Sequence, residues 1–282
     1  MNFPGLNTTI ANISKTEYLI AGLEVSVFGL EELKKVDEPN EVAAVFVLHG
    51  RTGCAAQLDF LSSRVVAESQ TTTGHSRIIT ISFDQRNHGT RLKDSIKNLG
   101  WSEEQGNVQH ELDMWSIQYG TSRDVLYLID ILPMYLGLDI SKWGICGVSL
   151  GGHATLISME LEPRISVGVS LIGCGDYGQL ISERGKNSGL EINRTTHPLL
   201  FRCLDLYDPV NHVERFQKRP LLMLGGEEDD LVPMKYSNVF VDKLRKSYAD
   251  TDRFSVKMFP QVGHWINDEM LSETIQWLQH WL

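Results

Sequence analysis

Trp143-Gly-Ile-Cys-Gly-Val-Ser-Leu-Gly-Gly-His153 is the stretch on which the reading of this chain turns. Trp143 to Val148 is a short apolar run of the length a buried strand wants, and His153-Ala-Thr-Leu-Ile-Ser-Met-Glu160 reads as a helix. Between them sits Gly147-Val148-Ser149-Leu150-Gly151. A serine on so sharp a strand-to-helix turn is held in strained backbone geometry, and its neighbours two residues away on each side must lack side chains, which Gly147 and Gly151 provide. The turn lifts the Ser149 hydroxyl above the sheet edge, and the following helix aims its N-terminal N–H groups at whatever negative charge forms there. A bare GxSxG pattern arises by chance in about one chain in ten of this size. The strand before it and the helix after it are what set this one apart from an ordinary Gly-rich turn with a solvent-facing serine.

The 282 residues, 42% of them hydrophobic, suffice for one large core, and a single domain over residues 1–282 is expected. A net charge of −10 repels nucleic acid and anionic membrane, so neither is expected as a partner. No apolar run is long enough to span a bilayer, and the first twenty residues lack a basic start followed by an apolar core, so the reading is a cytoplasmic protein. Cys54, Cys146, Cys174 and Cys203 show no metal-ligand spacing and are expected to be reduced thiols.

Outward from the central stretch, the chain alternates strands and helices. Residues 18–30 read as two opening strands joined tightly around Gly22, and the charged residues 31–41 as a solvated connection. Residues 42–48 and 77–83 are buried strands, with a helix between them to about Ser69. A long polar loop, 90–110, leads to a helix centred on residues 124–133. Strand 165–172 follows the central helix, and residues 178–217, lacking a clean period, read as a small helical insertion or lid. Strand 220–224, helix 234–248, strand 254–259 and helix 268–281 complete the order. Such alternation implies parallel pairing with helices on both faces, and functional groups then collect at the carboxyl ends of the strands.

A serine hydroxyl becomes a nucleophile when an imidazole takes its proton, and the imidazole needs a carboxylate to fix its tautomer. Of the nine histidines, His264 alone lies in a loop after the last strand, beside Gly263. His49 and His88 read as loop braces, His110 as a residue of the polar loop and His280 as a residue of the last helix. Asp229 leads as the acid because it follows strand 220–224 in a Gly-x-x-Asp-x-x-Val-Pro frame; its neighbour Asp230 and Asp176, after the preceding strand, remain open. For the oxyanion, one donor is the backbone N–H of Leu150. The second is assigned to the N–H of Arg51 in the slim loop His49-Gly50-Arg51-Thr52-Gly53, with Thr52 as the alternative.

His49-Gly50-x-x-Gly53, Asp84-x-Arg86-x-His88-Gly89, Gly147-x-Ser149-x-Gly151-Gly152, Gly226-x-x-Asp229-x-x-Val232-Pro233 and Gly263-His264 stand in one order, and with them the chain resembles the α/β-hydrolase superfamily from about Tyr18 to Leu282. The Ser149-Leu-Gly-Gly-His153 extension and the compact lid look like the dienelactone-hydrolase and prolyl-oligopeptidase-like esterase branch. The resemblance implies an α/β fold with an eight-stranded, mostly parallel sheet, the triad Ser149, Asp229 and His264, and no metal or organic cofactor. The expected activity is cleavage of a small to medium carboxylic ester through an acyl-enzyme, with a peptidase or amidase as the second reading. Acyl transfer, a lyase reaction or a non-catalytic binding protein on the same fold are the rivals. Trp101, Asp176 and Tyr177 are the candidates for lining the substrate pocket.

Overall fold

A computed structural model describes residues 5–34, 41–70, 76–101 and 106–282. Its strands are Lys15–Ile20 (β1), Leu23–Phe28 (β2), Val42–Leu48 (β3), Arg77–Phe83 (β4), Lys142–Val148 (β5), Ile165–Leu171 (β6), Leu221–Gly226 (β7) and Phe254–Phe259 (β8). Its α-helices are Leu30–Leu33 (α1), Asp59–Gln70 (α2), His110–Leu136 (α3), Leu150–Leu161 (α4), Tyr177–Asn187 (α5), Pro198–Tyr207 (α6), Asn238–Ser247 (α7) and Asp268–Trp281 (α8). The strands form one eight-stranded sheet in the order β1-β2-β4-β3-β5-β6-β7-β8. Pairing is antiparallel from β1 through β2 to β4 and parallel from β4 to β8. This is the α/β-hydrolase arrangement that the sequence resembles.

Strand β3 shows why the sheet is covered twice. All seven of its residues are buried, and they divide by parity: Ala43, Val45 and Val47 enter one apolar cluster, while Ala44, Phe46 and Leu48 enter another. The first cluster is closed by Phe60, Leu61 and Val65 of α2 and by Met270, Leu271, Ile275 and Leu278 of α8. Val125, Leu128, Leu132, Ala154, Leu156, Phe240 and Leu244, from α3, α4 and α7, close the second. Because β4, β3, β5, β6, β7 and β8 all run the same way, the turns that follow them emerge on one edge.

The structure moves some expected boundaries. Helix α3 starts at His110, so the polar loop ends one residue earlier than expected and the helix begins well ahead of the 124–133 segment read as its centre. The ring of His110 is buried, its Nδ1 lies 2.7 Å from the Leu99 carbonyl, and the rings of His110 and Trp101 meet edge-on at 5.1 Å. Strand β7 runs on through Gly225 and Gly226, which the sequence places in the loop. A Cβ on Gly226 would sit 2.1 Å from the Val262 carbonyl oxygen, so the glycine is there to let two backbones touch. Of the charged connection expected over 31–41, residues 35–40 lie outside the described residues. Residues 178–217 carry most of α5, all of α6 and two short 3₁₀ turns, packed on α3 and α4 through Trp115, Ile157, Tyr177, Phe201 and Leu204.

Arg219, with nothing in the sequence to mark it, anchors the return from that segment to β7. It is buried, and its guanidinium donates to the carbonyls of Phe216 (2.9 Å), Glu162 (2.7 Å), Ile165 (2.7 Å), Arg215 (2.8 Å) and Met159. One side chain thus saturates the carbonyls left over where α4 ends and β6 begins. Substituting Arg219→Leu leaves these acceptors without donors inside the protein, and each unsatisfied buried group costs about 1–3 kcal/mol. Urea unfolding is expected to show a loss of at least about 3 kcal/mol; a loss below about 1 kcal/mol would contradict this anchoring role.

Candidate active site

The turn between β5 and α4 holds Ser149 at φ 55° and ψ −110°, a conformation that a non-glycine residue adopts only when its surroundings impose it. Its own N–H donates to the Leu171 carbonyl of β6 at 2.8 Å. The backbone is packed too closely for side chains on either side of the serine. A Cβ on Gly151 would lie 2.2 Å from the Leu48 carbonyl oxygen, and one on Gly147 would lie 2.3 Å from the Gly151 carbonyl oxygen. The serine is thereby pushed out at the sheet edge, next to residues brought there by β7 and β8.

Ser149 Oγ lies 2.8 Å from His264 Nε2, and His264 Nδ1 lies 2.8 Å from Asp229 Oδ2. A carboxylate only accepts, so Nδ1 carries the proton and Nε2 is left with a lone pair facing the hydroxyl. The other oxygen of Asp229 accepts from the N–H groups of Leu231 (2.9 Å) and Val232 (2.8 Å), which fixes the carboxylate on a turn of its own making. Burial works against the charge on Asp229. The hydrogen bond and charge of His264, together with those two N–H groups, outweigh it and hold the pKa below the ordinary carboxylate value. Of the acids the sequence leaves open, Asp229 is the one on His264. Asp230 is exposed, and the side chain of Asp176 accepts the Gln179 N–H as the N-cap of α5.

Leu150 is the first residue of α4, where an N–H has no carbonyl one turn back in its own helix. Arg51 and Thr52 stand in the turn after β3, closed by Gly53 N–H to the Gly50 carbonyl at 3.2 Å, with Thr52 at φ 61°. His49 Nδ1 donates to that same Gly50 carbonyl at 2.8 Å and Nε2 accepts from the Gln85 N–H at 3.0 Å, while Asp84 accepts from the N–H groups of Ala55 and Thr90, each at 2.7 Å. The loops after β3 and β4 are therefore tied into one unit.

The expected pocket residues fare differently. Tyr177 is buried, and its hydroxyl donates to the Glu111 carbonyl at 2.7 Å with its ring against Trp115, so it is a packing residue and not a wall of an open pocket. Asp176 lines a cleft formed with Arg194, Phe201 and Lys243 whose walls do not include Ser149. Trp101 is partly buried against the cluster that contains Leu150 and Met114. Trp115, on α3, donates Nε1–H to Cys203 Sγ at 3.3 Å and so fastens α3 to α6. The four cysteines are free thiols. No helix among the described residues is long and apolar enough to cross a membrane.

Two histidines that take no part in the Ser149–His264–Asp229 chain are buried beneath it. Burial pushes the His49 imidazole down to about 4 and that of His153, whose Nδ1 lies 2.9 Å from the Cys174 carbonyl, down to about 3. Both stay neutral in the folded chain, whereas the unfolded chain protonates them below about pH 6.5. The unfolded state then binds more protons, so their contribution to stability is complete above pH 6.5 and is lost as the pH falls towards 4 and 3. Between pH 6.5 and 5 the loss is about 2 kcal/mol for each imidazole. In His49→Gln the drop in unfolding free energy from pH 7 to pH 5 is expected to be smaller by about that amount; an unchanged drop would contradict a neutral, buried His49.

A model described as the prolyl oligopeptidase family matches residues 118–282. The Bacillus subtilis protein YitV, whose name proposes an esterase, is 28% identical over 151 residues, which is 51% of this chain and 59% of that relative's length. Among solved structures, TT1662 from Thermus thermophilus aligns with a TM-score of 0.72 at 20% identity, covering 96% of this chain and 98% of its own. The acylaminoacyl peptidase of Pyrococcus horikoshii aligns with a TM-score of 0.63 at 14% identity over 96% of this chain and 41% of its own.

Proposed function

The chain belongs to the prolyl oligopeptidase family of serine hydrolases, and on that premise we propose that it cleaves a small to medium carboxylic ester through an acyl-enzyme on Ser149. The observation that carries this reading is the unbroken path from Ser149 Oγ to His264 Nε2 and from His264 Nδ1 to Asp229, 2.8 Å at each step, beneath a strained turn. In the first half of the reaction His264 Nε2 takes the hydroxyl proton as Oγ bonds to the ester carbonyl carbon. The oxyanion that forms accepts from the N–H groups of Leu150 and Arg51, a stabilisation of about 3 kcal/mol for each donor. Collapse of this intermediate expels the alcohol, which leaves with the proton from His264. Water repeats the sequence on the acyl-serine and releases the acid. Asp229 keeps the proton on Nδ1 throughout and offsets the charge that His264 acquires.

The family match and the likeness to an acylaminoacyl peptidase favour one second reading, amide or peptide cleavage by the same residues. The two separate on paired substrates of equal acyl length, a p-nitrophenyl ester against a p-nitroanilide. A fluorophosphonate, which reports a serine activated by its base, should add one adduct to the intact protein, mapped by mass spectrometry to Ser149. Ser149→Ala should lose the adduct and ester turnover by about 10⁴-fold or more. Asp229→Asn should cost about as much by releasing His264 into the wrong tautomer, whereas Asp176→Asn should cost less than tenfold. A folded wild-type chain that neither labels nor turns over any ester would overturn the hydrolase reading, and a crippled Asp176→Asn beside a mild Asp229→Asn would overturn the choice of acid.

A further inference from the structure

One of the peptide units that hold Asp229 is itself held from its other edge. Asp229 Oδ1 accepts from the N–H of Val232 at 2.8 Å, beside the N–H of Leu231 at 2.9 Å. The peptide unit that carries the Val232 N–H also carries the Leu231 carbonyl, and because the unit is planar and trans the two point opposite ways. That carbonyl accepts from Nε and Nη2 of Arg184 at 3.2 and 2.7 Å. A guanidinium, a peptide, a carboxylate, an imidazole and a hydroxyl therefore stand in one hydrogen-bonded file, which runs on through Asp229 and His264 to Ser149 with 2.8 Å at each of its last two steps.

Arg184 reaches this place from α5. Tyr177, Leu180 and Ile181 are the buried residues of its first two turns, and Arg184 stands seven, four and three positions after them. It thus continues the inward face of the helix, where an apolar residue is the rule. Leu180 shares an apolar cluster with Val232, so α5 and the Asp229 turn are packed together where the guanidinium meets them. Burial lowers the pKa of Arg184, and Asp229 is among the groups that pull it up again. A guanidinium nonetheless keeps its charge at neutral pH. A cation on a peptide oxygen draws electron density from the N–H at the far edge and makes it a stronger donor, more so in a partly desolvated place than in water. Here the strengthened donor is the Val232 N–H, and its acceptor is the carboxylate that fixes the proton on His264 Nδ1.

We propose that Arg184 is a positioning residue for the reaction: through the peptide between Leu231 and Val232 its charge tightens the hold on Asp229, and so keeps His264 in the tautomer and orientation that take the proton of Ser149. The inference rests on the hydrolase reading and adds to it a residue that acts through Asp229.

The test is a series at position 184 assayed on one p-nitrophenyl ester, with urea unfolding of each variant beside it. Arg184→Lys keeps a charged donor, Arg184→Gln a neutral donor, and Arg184→Met an unbranched stem with neither. In Arg184→Met kcat is expected to fall about tenfold with KM within about twofold of wild type, the mark of an interaction felt in the transition state and not in substrate binding. Arg184→Lys should exceed Arg184→Gln in kcat by at least about threefold, and this ratio carries the test if Arg184→Met does not fold. In an Asp229→Asn background the change to Met should alter the rate of fluorophosphonate labelling by less than about twofold, because the group through which Arg184 acts is gone. A folded Arg184→Met variant with the kcat of wild type would overturn the proposal. So would a loss that persists undiminished in the Asp229→Asn background, and so would equal kcat in Arg184→Lys and Arg184→Gln, which would reduce Arg184 to an uncharged brace. Each of these results leaves the hydrolase reading standing, whereas a wild-type protein that neither labels nor turns over an ester would remove that reading and this inference with it.

Discussion

The close contact of three backbones at one point governs this molecule. Where β5 turns into α4, the Leu48 carbonyl, Gly147 and Gly151 meet at distances that exclude any side chain, and Ser149 is forced to a positive φ. An outward-facing serine in that conformation exists only because β3 throughout and β5 from Trp143 onward are buried and held by helices on two faces. Strain at a single residue costs about 1–3 kcal/mol, and it persists because the surrounding sheet over-determines it. The reactive geometry is therefore a property of the core, expressed at the core's edge.

The other partners reach that edge by the same logic. Parallel pairing from β4 to β8 delivers the turns after β5, β7 and β8 to one side, and the contact between Gly226 and Val262 brings the last two turns together. Among the described residues Asp229 makes no ion pair with a lysine or an arginine, and its side-chain partner is His264. Two backbone N–H groups of its own turn complete its shell and keep it ionised despite burial. The loops after β3 and β4 are braced independently by neutral His49 and by Asp84, so the wall next to Ser149 is rigid without drawing on the residues that touch it.

Much of this was legible in the sequence, and the reason is periodicity. Residues 42–48, 77–83 and 254–259 were bounded to the residue because short apolar or alternating runs between polar turns leave little choice, and the five short signatures fell at strand ends in order. What stayed hidden depends on contacts that no local pattern encodes. His110 opens a helix because its ring is buried against Trp101 and lies beside the Leu99 carbonyl, and Gly226 continues a strand because of a backbone far along the chain. Tyr177 followed a strand end, as a pocket residue would, yet its hydroxyl turns inward to the Glu111 carbonyl. Arg219 looks like an ordinary surface residue in the sequence and becomes an anchor only through the carbonyls it meets in three dimensions.

The most direct test of the arrangement at Ser149 is the tautomer of His264, read by NMR of protein labelled with ¹⁵N at histidine, at neutral pH. The expected result is a proton bound to Nδ1, strongly deshielded by Asp229, that disappears in Asp229→Asn. A neutral His264 protonated on Nε2 instead would contradict it, because the nitrogen facing the serine would then already carry a proton and could not accept another.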